Sequence, residues 1–384
     1  TVSSLTASGK VVTAVFGTAH NLMQYQVIKI AGANQAEYNV EARILTVPNT
    51  TTIAFELAAV PSVATATGTI NCSLPSLGWE KPFSSTSATG GKGAYRSKNT
   101  LLPSRPFLRV VDELDPAYNA SYAKYAKVGI VEDMTDIDTM LGVQAPYDSV
   151  NPGKNWVGTG SGTSVINGWA RWYYARNSAL SNTYDTAAIT GGNRNWLLIG
   201  NADYFYIMPC FHTGQSPANP YGFGSFERYY DDDLSNTFLS ASIKNTPSGN
   251  FEQIGKLSGI SSNNNYNSLL FKPIEQTGDY ATANAAYSIN SALHYSGCTV
   301  YLKGASDKVP LYPIILEEHS VKYSGANLKT VRGGLSGIYA LAQYRPLNDF
   351  QIFRRGSSAF IARYSTIHDD NADFGELVLK IGDL

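Results

Sequence analysis

Residues 11–57, VVTAVFGTAHNLMQYQVIKIAGANQAEYNVEARILTVPNTTTIAFEL, decide how this chain is read. KVVTAVF at 10–16 alternates and is β-branched. QYQVIKIAG at 24–32 alternates around Val27 and Ile28 and stops at Gly32. EYNVEARILTV at 37–47, TTIAFEL at 51–57 and TATGTINCSL at 65–74 follow. Five short apolar runs at about ten-residue spacing, punctuated by AGAN and VPNTT, predict strands of a small sandwich or barrel. No amphipathic helix of twelve or more residues stands out in the chain.

Composition extends that reading to the rest of the 384 residues. Charged residues are 15% and apolar residues 43%, with 25 tyrosines among the aromatics. Ser, Thr, Asn, Gly and Tyr take the place of charge. Tyr and Thr suit a pleated, half-buried surface, and Gly, Asn and Ser suit tight turns. A net charge of −1, with no basic cluster beyond Arg354 and Arg355, gives no footprint for nucleic acid. No apolar run approaches the ~18 residues of a membrane helix, and no secretory leader pattern opens the chain at Thr1. Cys72, Cys210 and Cys298 are far apart, with no metal-type spacing, and read as buried thiols of a reducing compartment.

The sequence divides into a small β module at 1–74 and a larger β-rich domain at 75–384. SSTSATGGKG at 84–93 reads as a flexible low-complexity stretch. FLRVVDE at 107–113 is a strand. In PAYNASYAKYAKVGIVEDM, Tyr118, Tyr122, Tyr125 and Val128 fit a helix face. Gly129 and its β-branched neighbours favour a strand instead. MTDIDTML at 134–141 is a candidate helical turn. NWLLIGNADYFYIMPCF at 195–211 is a hairpin turning at GNAD. Further strands are expected at 237–243, 269–274, 298–303, 311–323 and 336–344, then in FQIFRRG, SAFIARYS and GELVLKIGD.

The fragments nearest to chemistry are few. YGFGSFERYYDDD at 221–233 ends in three consecutive aspartates, Asp231 to Asp233. Calcium loops alternate their acids so that side chains converge on one ion, whereas consecutive acids on extended backbone face opposite ways. These read as a solvated turn behind a strand, with Phe223, Phe226 and Tyr229 as packing candidates. GTGSGTS at 158–164 has the glycines of a phosphate loop but no following Lys. GLSGIYA at 334–340 has the wrong spacing for a nucleophile elbow. His20, His212, His294, His319 and His368 are dispersed and read as structural. In EEHS, Glu318 and His319 are strand neighbours that face opposite ways. The acids of DELD, EDMTDID and HDDNAD fall in turn-like settings. No catalytic, cofactor-binding or metal residue is assigned, and no cofactor is expected.

Beyond single motifs, an ordered series of segments resembles a family of tailed-bacteriophage virion structural proteins. The first is the N-terminal module, with Ala19-His20-Asn21-Leu22, Ile30-Ala31-Gly32-Ala33, Tyr38-Asn39 and Thr52 to Phe55. LGWEKPFSSTSATGGKGAYRS, FLRVVDE, EDMTDIDTMLGVQAPY, NWLLIGNADYFYIMP, YGFGSFERYYDDD and RGGLSGIYA then follow in the family's order. Ser225 stands where relatives carry an aspartate, and Ser336 where they carry a proline. The resemblance implies a structural part of the particle, in the tail or baseplate, assembled in the host bacterial cytoplasm, and no enzyme. Partners would be other virion proteins and copies of itself, through interfaces of about 1,000 Å² or more, without nucleic acid or membrane insertion. The fold expected is mostly β: a small N-terminal β-sandwich or barrel, then a larger β-sandwich-like domain with long loops. Two rivals remain. One is a receptor-binding or head/neck decoration protein, presenting Trp169, Trp172 and Tyr173 to a host glycan or protein. The other is a depolymerase using Asp231 or Asp233.

Overall fold

The computed structural model describes residues 1–158, 168–177, 185–210, 213, 220–231, 235–243, 269–271, 281–286, 311–320, 328–341, 347–366 and 374–384. The protein is mostly β, built of antiparallel sheets, and the described residues contain no α-helix. None of their helices is long and apolar enough to cross a membrane. The chain forms two compact units. The first is Thr1–Leu77 with Ile352–Phe360 and Ile381–Leu384. The second is Gly78–Gln351 with Ile361–Lys380.

In the first unit, β1 (Val2–Ser8), β2 (Val11–Phe16), β3 (Val27–Ala33), β4 (Glu41–Asn49), β5 (Thr52–Glu56) and β6 (Gly68–Ser73) form one sheet. Its order is β1-β2-β5-β4-β3-β6. The ends curl together: Ala7 N–H donates to Ala64 O at 2.7 Å, and Ala66 N–H to Leu5 O at 3.0 Å. The result is a nearly closed barrel, which removes most of the exposed edge. Alternation does the sorting. Val12 and Ala14 of β2, Ile28 and Ile30 of β3, and Ile53 and Phe55 of β5 all point inward and are buried. Apart from the small Ala14, each of these side chains contributes about 1.5–3 kcal/mol by leaving water. Gly32 (φ +87°) and Gly68 (φ +115°) meet where β3 and β6 approach: a Cβ on Gly32 would sit 2.2 Å from Thr69 O. β3 therefore runs through Gly32 to Ala33 instead of stopping there. β1 is the strand that the sequence pattern misses. Its burial is irregular because the ladder shifts register between Val2 and Ser4.

The second unit carries a sheet ordered β18-β12-β10-β9-β8-β7, with β11 pairing β10. Its strands are β7 (Trp79–Ser87), β8 (Gly90–Ser97), β9 (Phe107–Glu113), β10 (Lys124–Met134), β11 (Met140–Ala145), β12 (Ala170–Ala175) and β18 (Ser242–Ile243). Another sheet follows the path β13-β14-β15-β17-β19-β20-β21-β22-β25-β24-β23, with β16 on β22. It holds β13 (Trp196–Gly200), β14 (Tyr204–Pro209), β15 (Tyr221–Ser225), β16 (Glu227–Arg228), β17 (Thr237–Ser240), β19 (Leu269–Phe271) and β20 (Ala281–Ala286). Its other strands are β21 (Leu311–Ser320), β22 (Leu328–Leu341), β23 (Ile352–Arg355), β24 (Ser358–Thr366) and β25 (Phe374–Asp383). Apolar faces of the two sheets meet: Leu108, Val128 and Trp172 of one share a core with Tyr221, Phe223 and Leu239 of the other.

Two expectations are corrected. SSTSATGGKG is no flexible stretch but the tip of the β7–β8 hairpin. Its glycines serve close packing, since a Cβ on Gly90 (φ +147°) would fall 1.8 Å from Asp112 O. MTDIDTML is no helical turn; it closes the β10–β11 hairpin. There the Asp136 carboxylate accepts the N–H groups of Asp138 (2.8 Å) and Thr139 (2.9 Å), which competes with helical pairing. The strand reading of YAKVGIVED holds, as β10. The strand expected at 298–303 lies outside the described residues.

Candidate functional site

Four buried charged side chains of the second unit, Asp115, Lys127, Arg171 and Arg176, gather around β10 and β12. Antiparallel pairing sets Lys127 directly opposite Arg171 and Tyr125 opposite Tyr173. Like charges opposed across a ladder repel. Both cations are also buried, Lys127 at 4% exposure and Arg171 at 2%. Each therefore needs its own carboxylate, and the loops supply them. Asp115 lies 3.7 Å from Lys127 Nζ, and Asp185 lies 3.1 Å from Arg171 Nη1. Asp185 also takes Arg176 at 2.8 Å and the Tyr173 hydroxyl at 2.7 Å. Arg171 stacks over the Tyr125 ring, 3.9 Å from its centroid.

The electrostatics follow burial. Loss of water pushes the Lys127 amine below its ordinary range, and nearby Asp115 opposes that shift. Burial raises the Tyr125 phenol to about 12, and the Tyr118 and Tyr173 phenols well above their usual value. These hydroxyls stay neutral near neutral pH; Tyr118 donates to Asp185 O at 3.2 Å and Tyr173 to the Asp185 carboxylate at 2.7 Å. Asp115 is further occupied by the N–H of Ala117 at 3.0 Å and of Gly158 at 2.6 Å. With both carboxylates committed in this way, the cluster fastens loops to a sheet face.

The structure separates the other candidates. Trp172 and Tyr173, offered above as solvent-facing aromatics, are buried, and Trp169 is half-buried. Trp172 points the other way along β12 from Arg171, donating from Nε1 to Ser240 O at 2.8 Å. A glycan platform built on these rings is therefore corrected: strand alternation carries Trp172 and Tyr173 into two interior layers. Phe223 and Phe226 pack as expected, but Tyr229 is exposed at the β16 end. Asp231 is exposed, whereas Asp232 and Asp233 lie outside the described residues. So do 159–164 of the glycine-rich loop, His212, His294, His368, Cys298 and the HDDNAD acids; the side chains of Glu318 and His319 are likewise not described. His20 is held at both nitrogens: Nδ1 accepts from Leu22 N–H at 2.9 Å, and Nε2 lies 3.1 Å from Asn49 O. Cys72 is half-buried, and Cys210 is buried with its Sγ accepting from Arg363 Nη2 at 3.2 Å. Among the described residues no group of three or more His, Cys, Asp or Glu could hold a metal ion.

The buried ion pairs were missed in the sequence, although part of the signal was there. In ARWYYA the i, i+2 spacing of Arg171 and Tyr173 puts a cation and an aromatic on one face. Asp185, their partner, sits in a loop that no periodicity marks.

No protein-family model matches the chain, and no curated protein matches it. Among solved structures it is similar to phage phi92 endosialidase, at 8% identity and a TM-score of 0.15. That match covers all of this chain and 52% of the other, so the chain spans about half the length of that structure. At such a score the likeness carries no weight for function.

Proposed function

We propose that the chain is a non-catalytic structural component of a bacteriophage virion, in the tail or baseplate, working through broad contacts with other virion proteins and with its own copies. The observation that carries this reading is the ordered run of family-like segments, two of which perform clear structural tasks here. EDMTDIDTMLGV makes a hairpin whose Asp138 pairs with Lys92 and with buried Arg109, both within 3 Å. NWLLIGNADYFYIMP makes another, in which Asn201 Oδ1 accepts the N–H groups of Asp203 (2.8 Å) and Tyr204 (3.1 Å). The family-like residues thus set turns and registers. Such selection fits a part whose work is holding shape under load.

The test is composition of the particle. Virions of the encoding phage, banded on a density gradient, are expected to contain this chain at a fixed ratio to the other structural proteins. Antibody labelling is expected at the tail. Abundant chain in the lysate with none in banded particles would sink the reading.

A further inference from the structure

Sheet edges in the second unit are treated unequally. The β7 edge carries Lys81 and Pro82 in mid-strand and then small hydroxyl residues. Charge and proline on an edge strand block addition of another strand. The β18 edge is only two residues long, which also blunts it. β13 has none of these guards. Asn195-Trp-Leu-Leu-Ile-Gly-Asn201 bears no charge, and among the described residues it pairs only with β14.

The hydrogen bonds fix which groups point outward. Cys210 N–H donates to Asn195 O, and Asn201 N–H donates to Tyr204 O. Antiparallel alternation then turns the odd positions toward β14 and leaves the N–H and C=O of Trp196, Leu198 and Gly200 facing away. The same residues present exposed apolar side chains, Trp196 at 62% and Leu198 at 42%. Cross-strand partners of this face, Ile207 and Phe205, pack against the sandwich core. The exposed face is therefore the rim of an apolar layer.

We infer that β13 is a pairing edge for a second copy of this chain, aligned antiparallel about a two-fold axis at Leu198. The sequence of the strand selects that occupant. Centred on Leu198, Trp196 falls opposite Gly200 of the partner copy, so an indole covers a position that has no side chain. Asn195 falls opposite Asn201, and no like charges meet. About six intermolecular hydrogen bonds result, two from each of three facing pairs. The arrangement is isologous and self-limiting. Seven residues per copy bury only a few hundred Å² by rough count, well under the ~1,200 Å² of a stable isolated dimer. The contact is weak alone and gains strength when copies are already gathered in an assembly.

This names a partner for the interface reading above, and the two can fail separately: a chain found in particles but never self-paired keeps that reading and loses this one. Crosslinking reads the register. In the paired form the two Leu198 Cα atoms lie about 5.5 Å apart, within disulfide reach, and the two Trp196 Cα atoms about 14 Å apart. Full-length L198C is expected to give covalent dimer under mild oxidation, several-fold above the parent chain and W196C. Sedimentation of the parent is expected to show concentration-dependent dimer, with W196K weakening it by about tenfold or more. Both side chains are exposed, and circular dichroism confirms folding of each variant. Equal capture of W196C and L198C would overturn the proposal. So would capture of neither, or a parent mass that stays monomeric at every concentration.

Discussion

The two units bury different things. The first unit buries no charged side chain among its described residues; Tyr38 is the one polar tip in its core, donating to Val63 O at 2.7 Å. The described residues of the second unit include eight buried charged side chains, among them Arg171, Arg332 and Arg363 at 2% exposure or less. Arg363 pairs with Asp349 and lies over the Phe350 ring at 3.9 Å. A curled six-stranded barrel can fill its interior with aliphatic side chains around Phe55 and Tyr38. The larger unit has long loops to anchor, and it anchors them with ion pairs planted in the sheet. A dry core tolerates the loss of any one polar group, whereas a buried pair is costly to break because the survivor stays charged in a dry setting.

The sharpest way to break this comparison is Asp185→Ala. It removes the carboxylate that Arg171 and Arg176 share, and the expected loss is about 3–5 kcal/mol. All five tryptophans (79, 156, 169, 172 and 196) lie in the second unit. Tryptophan-detected urea unfolding therefore follows that unit alone. A loss below ~1 kcal/mol would show that the pairs are solvated and the contrast is false.

Alkaline pH comes next. Tyr125 has its folded value raised from 10.0 to about 12. Below pH 10 both states keep the phenol neutral and the contribution is fully present. As pH rises past 10 the unfolded chain ionises first, and stability drains away until the folded phenol also ionises near 12. The gap between the unfolded and folded values corresponds to about 2–3 kcal/mol. Tyr118 and Tyr173 shift the same way. The first unit has a single buried phenol raised by desolvation among its described residues, at Tyr38. Urea midpoints measured against pH, by tryptophan emission for the second unit and hydrogen exchange for the first, are expected to fall faster in the second.

Smaller effects sharpen the contrast. Tyr38→Phe removes the polar tip of the barrel core and is expected to cost about 1 kcal/mol, seen as faster amide exchange in the first unit only. Lys92→Ala removes an ion pair to Asp138, whose side chain is 56% exposed, and is expected to cost under ~1 kcal/mol, less so in high salt. A larger Lys92 effect than Asp185 effect in thermal melts would invert the whole ranking.

How much of this was legible follows from the same contrast. The barrel strands β2 to β6 could be read because one face is apolar and the other wet, which stamps a two-residue period on the sequence. β10 and β12 are buried on both faces, so their pattern is an unbroken apolar run with stray cations in it, and Trp172 looked like a surface ring. The β7–β8 hairpin hid behind Ser, Thr and Gly, which an exposed edge accepts as readily as a loop does. Partners such as Lys127 with Asp115 or Arg109 with Asp138 are joined only by folding, and no local spacing announces them.

One feature of the first unit bears on how the chain is made. That unit includes Ile352–Phe360 and Ile381–Leu384 as well as Thr1–Leu77. At about 5–20 residues per second, a ribosome delivers the closing segments tens of seconds after the opening ones. The earliest-made strands need not wait for the latest: β1 to β6 complete a sheet and a buried core from residues 2–73, so the N-terminal module can form first and receive the closing segments as they emerge.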